Sequence, residues 1–201
     1  RETAWRALAG RTLYDLEAQG IGHLAFVPTD NLLPPPQMSA AIFRQACDGV
    51  LRILAEENKV SPHPYGQTQD GWESRMPTGA NNEGPAKSRV YRYLQEVSAK
   101  HRVDLELLRE SIARAFVKSG HANADRWAVV KLDKLNVYVV DRHDTPWVCE
   151  NCNRIHWHAS AGICSRCFSA LPADHGSGTT AGDIEELHYY AREARDARSA
   201  F

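Results

Sequence analysis

The chain has 201 residues, of which 43% are hydrophobic and 24% charged, as in an ordinary globular protein of one or two domains. Its formal net charge is −1, so a nucleic-acid surface would have to come from local segregation of charge. No apolar run reaches the length of about 18 residues that a membrane-spanning helix needs, so we expect no contact with a membrane.

The N-terminal half predicts helices around one short strand. Residues 1–19 are amphipathic and stop at Gly20, which is typical of a helix end. They contain neither a starting Met nor a signal peptide, so we expect a piece of a longer intracellular, cytoplasmic chain. Residues 21–28 predict a buried strand and residues 39–57 a helix with Cys47 on its buried side. Residues 61–86 contain four prolines and four glycines and predict a long loop.

Two further helices and a change of period follow. Residues 88–101 and 104–120 have apolar positions at helical spacing, and Asp104 is a candidate N-cap. In residues 127–141 apolar side chains recur with a period of two, which predicts a β-hairpin. Helix, turn, helix and hairpin is the order of a winged helix, although helices pack on hairpins in many other folds and the connector lacks the usual turn glycine.

The fold class predicted is therefore α+β. It is mostly helical, with a β-hairpin in a winged-helix-like unit and a C-terminal four-cysteine zinc ribbon followed by a helix. The predicted parts are an N-terminal helical segment (1–60), a loop (61–86), the helix-helix-hairpin unit (87–145), the zinc ribbon (146–172), and a loop with the C-terminal helix (173–201).

Four of the five cysteines form two CxxC pairs: Cys149 with Cys152, and Cys164 with Cys167. Each pair can place two thiolates at the tip of a tight turn, and two such turns complete a tetrahedral site. The sequence therefore predicts one zinc ion. Because four sulfurs leave no open coordination position, that ion is expected to be structural.

Other interpretations of this segment fit less well. A thioredoxin-type redox pair would need a single CxxC at a strand-to-helix junction. A zinc nucleobase deaminase would need an H-x-E motif upstream, which is missing. His156 and His158 lie two apart and share a face in a strand, where they could contact phosphate or a partner, or be merely solvated.

No catalytic motif survives inspection. The stretch "GANNEGPAKS" resembles a phosphate loop, but its lysine comes two residues late, Pro85 removes an amide, and no strand precedes it. The sequence therefore predicts a non-catalytic fragment.

Positive charge is concentrated in residues 87–134, which contain eleven Lys or Arg and six Asp or Glu. We therefore hypothesise that this unit contacts DNA, with the two ribbon histidines as a second contact. The candidate nucleic-acid-binding residues are Arg89, Arg92, Arg109, Arg114, Lys118, Lys131, Lys134, His156 and His158.

The stretch "VCENCNRIHWHASAGICSRC" and the Tyr-rich segment after it resemble the internal zinc-ribbon region of large bacterial DEAD/DEAH-box-like helicases, members of helicase superfamily two. Such helicases occur in phage-defence systems of the Druantia and DISARM kinds, and DNA-repair helicases of the Mrf type are more distant relatives. The matching positions are Cys149, Cys152, Arg154, His156, His158, Ser160, Gly162, Cys164 and Cys167, with Tyr189, Tyr190 and Phe201 in the following helix.

This resemblance covers residues 147–201 and implies an ATP-dependent machine that moves on DNA. Neither the motifs of the ATP-binding lobe nor the arginine-rich motif of the second lobe is present, so the chain would be an accessory module whose motor lies elsewhere in the parent protein. Its expected partners are DNA and the rest of the helicase motor or of a defence complex. The alternative is a protein-interaction module whose ribbon docks a partner without touching DNA.

Overall fold

The computed structural model describes residues 16–28, 33–57, 59–61, 88–124, 129–176 and 178–187. Within these ranges the fold is α+β, with four α-helices and three two-stranded sheets. The helices are α1 (Ala40–Glu56), α2 (Arg89–His101), α3 (Leu105–Lys118) and α4 (Ala181–Leu187). The strands are β1 (Gly22–Ala25), β2 (Val60–Ser61), β3 (Val130–Lys131), β4 (Asn136–Val139), β5 (Trp147–Val148) and β6 (Ile155–His156).

Helix α1 is the central element. The hydroxyl of Ser39 caps its first turn by accepting the N–H of Ile42 at 3.3 Å. Nearly all of its residues from Phe43 onward are buried, because it packs against β1, α2, β3 and the turn at residues 160–162. A methyl group at Gly49 would lie 2.2 Å from the hydroxyl oxygen of Tyr93, so α1 and α2 approach closely only because this position lacks a side chain.

The helices predicted at residues 39–57, 88–101 and 104–120 are confirmed. Each helix buries an apolar face in the core, and Cys47 has no exposed surface. Asp104 caps α3 as predicted, since its Oδ1 accepts the N–H of Leu107 at 2.8 Å.

The hairpin prediction was wrong. Strand β3 pairs with β2 in parallel, and β4 pairs with β1 in antiparallel register, with Val137 opposite Leu24. The 3₁₀ turn Leu132–Lys134 carries the chain from one sheet to the other. A period of two predicts a strand but not its partner, because pairing is decided by what else reaches the same surface. The described residues therefore form no wing, and the winged-helix-like unit is not supported.

Several predicted segments fall wholly or partly outside the described ranges. Of the helix predicted at residues 1–19, only residues 16–19 are described, and they belong to a turn. The loop predicted at residues 61–86 is described only at Ser61. Of the C-terminal helix predicted within residues 173–201, the structure describes α4, and residues 188–201 lie outside the description.

One hydrophobic core joins the helices to the cysteine-rich segment. It combines side chains of β1 and α1 to α3 with Ala161, Ile163 and Phe168. The segment with the two CxxC pairs therefore shares its apolar interior with the helices. Among the described helices, none combines the length and apolar character that crossing a membrane requires.

A buried carboxyl group ties β1 to the central helix. Asp48 of α1 is 6% exposed, and its Oδ1 accepts the N–H of Phe26 at 2.6 Å. Burial raises the pKa of Asp48 to about 7, although the hydrogen bond from Phe26 opposes that shift.

We expect Asp48 to make the protein less stable as the pH rises. The folded-state pKa of about 7 exceeds the ordinary value, so the native state retains a proton that the unfolded chain releases between about pH 4 and pH 7. Relative to wild type, an Asp48→Asn variant should gain roughly 2 kcal/mol between about pH 5 and about pH 8, because it keeps an acceptor for Phe26 without titrating. Urea unfolding of both proteins at the two pH values measures this difference. Unfolding free energies that run parallel with pH would contradict it.

Candidate metal centre

The two CxxC pairs lie in two turns with the same hydrogen bonds. In the first turn the N–H of Cys149 donates to the carbonyl of Arg154 at 2.9 Å, and the N–H of Asn153 donates to the carbonyl of Cys149 at 2.8 Å. In the second turn the N–H of Cys164 donates to Ser169 at 2.8 Å, and the N–H of Phe168 donates to Cys164 at 3.0 Å. The sequence thus builds the same knuckle twice.

The fourth residue after the first cysteine of each knuckle is left-handed, with φ of 56° at Asn153 and 66° at Phe168. Asparagine adopts this conformation readily, whereas phenylalanine does so only when its surroundings hold it. Phe168 is held because its side chain lies in the core and the guanidinium of Arg92 lies 4.7 Å from its ring centroid.

The four cysteine sulfurs converge between the knuckles. All lie within 4.8 Å of one another, with 3.5 Å between the sulfurs of Cys149 and Cys167 and 3.6 Å between those of Cys152 and Cys164. Sulfurs at the corners of a tetrahedron around one zinc-sized ion are about 3.7 Å apart. The cluster can therefore hold a metal ion, and the predicted ligand set Cys149, Cys152, Cys164 and Cys167 is brought together. Antiparallel pairing of β5 with β6 fixes the first knuckle.

The protein environment shifts the pKa values of the cysteine thiols in different directions. Burial raises the pKa of the Cys152 and Cys164 thiols. Burial acts in the same direction on Cys167, but hydrogen bonds from Ser169 and Asn151 outweigh it and bring the pKa of that thiol to about 6. A metal ion binds all four cysteines as thiolates. Its positive charge would therefore have to offset the free-energy cost of burying these negative charges.

The two ribbon histidines are buried, against the prediction that they contact nucleic acid. His156 is 0% exposed and His158 is 8% exposed. Burial and the neighbouring Arg154 and Arg52 lower the pKa of His156 to about 3, and burial with the nearby His23 lowers that of His158 well below its ordinary value. Neither ring can reach a phosphate or gain charge near pH 6.5. Instead His156 Nε2 lies 3.3 Å from the sulfur of Cys164, and His158 Nδ1 accepts the N–H of Ser160 at 3.1 Å.

A buried charge cluster, hereafter the charge network, joins the first knuckle to the helices. Arg154 lies 2.5 Å from Oε1 of Glu56 and 3.6 Å from Oε2 of Glu17. Arg52 pairs with the same two carboxylates at 3.2 and 3.3 Å, and Arg89 reaches Oε2 of Glu56 at 2.7 Å. Three guanidinium groups thus surround two carboxylates that are only 2% and 4% exposed.

The charge network keeps Glu56 ionised inside the protein. Burial by itself would raise the pKa of this carboxyl, but Arg154, Arg52 and Arg89 together lower it below its ordinary value. Removing one arginine would leave a buried charge partly uncompensated, which is costly in a protein interior.

A second attachment joins the ribbon to α2. Ser160, Ala161 and Gly162 all have positive φ, of 48°, 51° and 77°, which turns three successive carbonyls toward the helix. Each carbonyl contacts a polar side chain of α2, in the order Tyr93 at 2.9 Å, His101 at 2.8 Å and Lys100 at 3.2 Å. Sequence inspection missed both attachments, because neither follows a local spacing rule.

The predicted basic residues are scattered, and several of them form ion pairs. Arg89 belongs to the charge network, Arg109 pairs with Glu106 at 2.7 Å, and Lys134 lies 3.7 Å from Asp133. Arg92, Arg114 and Lys118 are exposed on the helices, and Lys131 is half-buried on β3. Two basic residues absent from the predicted set, Lys100 and Arg166, are exposed beside the second knuckle.

We expect metal removal to destabilise the helices as well as the ribbon, since they share one core. A Cys149→Ala/Cys164→Ala variant should lose stoichiometric metal and unfold at lower denaturant, because structural metal binding contributes on the order of 10 kcal/mol. Cys47→Ala is the matched control, since Cys47 is buried on α1 and outside the cluster. Elemental analysis and helical circular dichroism measure both effects. Full metal content or unchanged stability in the double variant would contradict the assignment.

Arg154→Met should lower the free energy of unfolding by about 3–5 kcal/mol, because Glu17 and Glu56 lose a buried partner. Arg114→Met, at an exposed position on α3, should change it by less than about 0.5 kcal/mol. Urea unfolding of the metal-loaded proteins compares the two. Equal stabilities would show that Arg154 contributes nothing net to the charge network.

Comparison of the chain with protein-family models, curated proteins and solved structures found no match. The resemblance of residues 147–201 to a helicase zinc-ribbon region therefore stays a prediction. Of that prediction, the structure shows the four-cysteine cluster that can hold a metal ion.

Proposed function

We propose that the four cysteines bind one zinc ion with a structural role. Four thiolates at tetrahedral separations are the donor set of structural zinc sites. The proposed residues are Cys149, Cys152, Cys164 and Cys167, and when bound the ion would lock the two knuckles together. Because these four ligands fill a tetrahedral shell, no position remains for a substrate or an activated water.

We further propose that the chain is a non-catalytic, nucleic-acid-engaging accessory module of an ATP-dependent DNA helicase in bacterial phage defence or DNA repair. One observation carries the nucleic-acid part. Three exposed basic side chains, Arg92, Lys100 and Arg166, lie along the junction of α2 with the second knuckle. We call these three residues the basic seam. The helicase setting is supported by the resemblance of residues 147–201.

Each residue of the basic seam has a contact that places it at the junction of α2 with the ribbon. Arg92 lies over the ring of Phe168, and Nζ of Lys100 donates to the carbonyl of Gly162. Arg166 lies inside the second knuckle, where its N–H donates to the sulfur of Cys164 at 3.4 Å. A guanidinium stacked on a ring face keeps its N–H edges available for phosphate oxygens. The metal would thus position a basic side chain at the surface.

The charge of the basic seam fits backbone contact better than base reading. Phosphate contacts supply affinity without sequence information, whereas sequence reading needs side chains arranged against base edges. Exposed Glu96 lies on α2 between Arg92 and Lys100 and reduces the local charge. We therefore expect modest affinity for single strands and duplexes of any sequence.

The second candidate function is a protein-interaction module that docks a partner without contacting DNA. The exposed strand β4 favours it, because Val137, Tyr138 and Val139 are 38%, 55% and 56% exposed. Exposed apolar side chains in a row are typical of a surface that another protein covers.

Removing two charges from the basic seam should weaken nucleic-acid binding. For an Arg92→Gln/Arg166→Gln variant, the slope of log affinity against log salt should become shallower by about 1 to 2, since each lost phosphate contact removes about 0.7 to 0.9. Arg114→Gln/Lys118→Gln removes the same charge from α3 and serves as the matched control. Fluorescence anisotropy with labelled single-stranded and duplex DNA measures both slopes, after metal content has been checked.

The outcomes separate the proposals. A change in the control variant alone would move the interface to α3 and overturn the basic seam. No binding by wild type even at low salt would overturn nucleic-acid engagement and favour partner docking through β4. Neither result would bear on the zinc proposal, which elemental analysis tests separately.

A further inference from the structure

The sulfur of Cys164 has a histidine ring beside it. His156 Nε2 lies 3.3 Å from this sulfur, and the backbone N–H of Arg166 donates to it at 3.4 Å. Both Cys164 and His156 are 0% exposed, so no water competes for the sulfur from that side. The backbone N–H of Cys167 also donates to this sulfur, and the sulfur of Cys152 lies 3.6 Å away.

The chemistry of the pair decides which atom carries the hydrogen. A metal-bound cysteine is a thiolate and can only accept hydrogen bonds, so the facing ring nitrogen must be the donor. The other ring nitrogen, Nδ1, is buried and has no hydrogen-bond partner among the described residues. If the neutral ring carries its hydrogen on Nε2, Nδ1 has only a lone pair without a partner. The other tautomer would leave an N–H group without a partner at Nδ1.

The backbone fixes the position of this ring. His156 lies on β6 opposite Trp147 of β5, which is the strand that leads into the first knuckle. The ring of His158 lies edge-on to the ring of His156, on the same side of the chain, with 6.2 Å between the two ring centroids. The backbone of His156 is therefore paired with the strand that leads into the first knuckle, while its ring contacts Cys164 of the second knuckle.

We propose that His156 is a positioning residue of the metal centre, whose Nε2–H donates to the thiolate of Cys164 and orients it toward the ion. Ser169 and Asn151 provide comparable hydrogen bonds to Cys167 in the second knuckle. Donors of this kind orient metal ligands and withdraw electron density from them. The His156 bond should therefore make Cys164 a weaker nucleophile in the folded, loaded protein. This inference rests on the proposed metal at the four thiols.

The wild-type protein provides the first test. Long-range nitrogen–proton NMR spectra of the zinc-loaded protein identify which ring nitrogen of His156 carries the hydrogen. We expect hydrogen on Nε2, and hydrogen on Nδ1 alone would overturn the proposal. Elemental analysis of the same sample distinguishes the two levels of failure. An absence of bound metal would overturn the metal centre itself, whereas bound metal with the wrong tautomer would overturn only the role of His156.

Variants provide the second test. His156→Phe removes the donor, whereas His156→Gln keeps an N–H that can reach the sulfur. His158→Gln is the matched control, since His158 is also buried but its Nδ1 accepts the N–H of Ser160. In cobalt-loaded His156→Phe the sulfur-to-metal charge-transfer band should move to longer wavelength. Because the sulfur of Cys164 is buried, iodoacetamide reaches it only when the centre opens. Alkylation of Cys164, located by mass spectrometry, should be several-fold faster in His156→Phe than in His158→Gln, with smaller changes in His156→Gln.

A wild-type spectrum and a wild-type alkylation rate in folded, cobalt-loaded His156→Phe would overturn the proposal. If the phenylalanine variant does not fold, the tautomer in the wild-type protein decides. A similar change in His158→Gln would show that general loosening of the buried histidines causes the effect, which would also overturn a specific role for His156.

Discussion

The arrangement of this protein depends on an ionised Glu56 in its interior. Burying a carboxylate costs several kcal/mol unless opposite charges accompany it. The accompanying charges come from three places in the chain: Arg52 from α1 itself, Arg89 from α2, and Arg154 from the segment between the CxxC pairs. The charge network is complete only when all three segments are in place, so it couples their folding.

The metal centre extends this coupling to the end of the described chain. Arg154 takes part in both, since its carbonyl closes the first knuckle while its guanidinium enters the charge network. Polar side chains of α2 also contact the three carbonyls of residues 160–162. Phe168 of the second knuckle lies in the hydrophobic core shared with the helices. A metal held by the four thiols would therefore stabilise the whole body rather than a separate appendage. It would also orient Arg166 beside α2, which links the structural metal to the surface we propose for nucleic acid.

Local pattern was enough to predict much of the framework. Residues three and four apart meet on one helix face whatever the rest of the chain does, so α1 and α3 followed from their apolar periods, and α3 also from its cap Asp104. Two CxxC spacings bring four thiols together because each is closed by a short turn of its own. For these parts the interactions that decide the structure lie within a few residues of each other.

Only the tertiary structure decided which strands pair, which side chains are buried and which charged groups form buried ion pairs. Strand β4 pairs with β1 rather than β3, although nothing in its alternating sequence distinguishes the two. His156 alternates like a solvated strand residue but is buried, and Arg154 carries the charge of a surface residue but lies inside. The indole N–H of Trp157 donates to the carbonyl of Glu17 across 140 positions in the sequence. Helices α1 to α3 and the clustering of the four cysteines could be predicted from the sequence because both depend on short-range spacing. Contacts between distant segments depend on which surfaces remain once those elements have packed, and only the folded chain settles that.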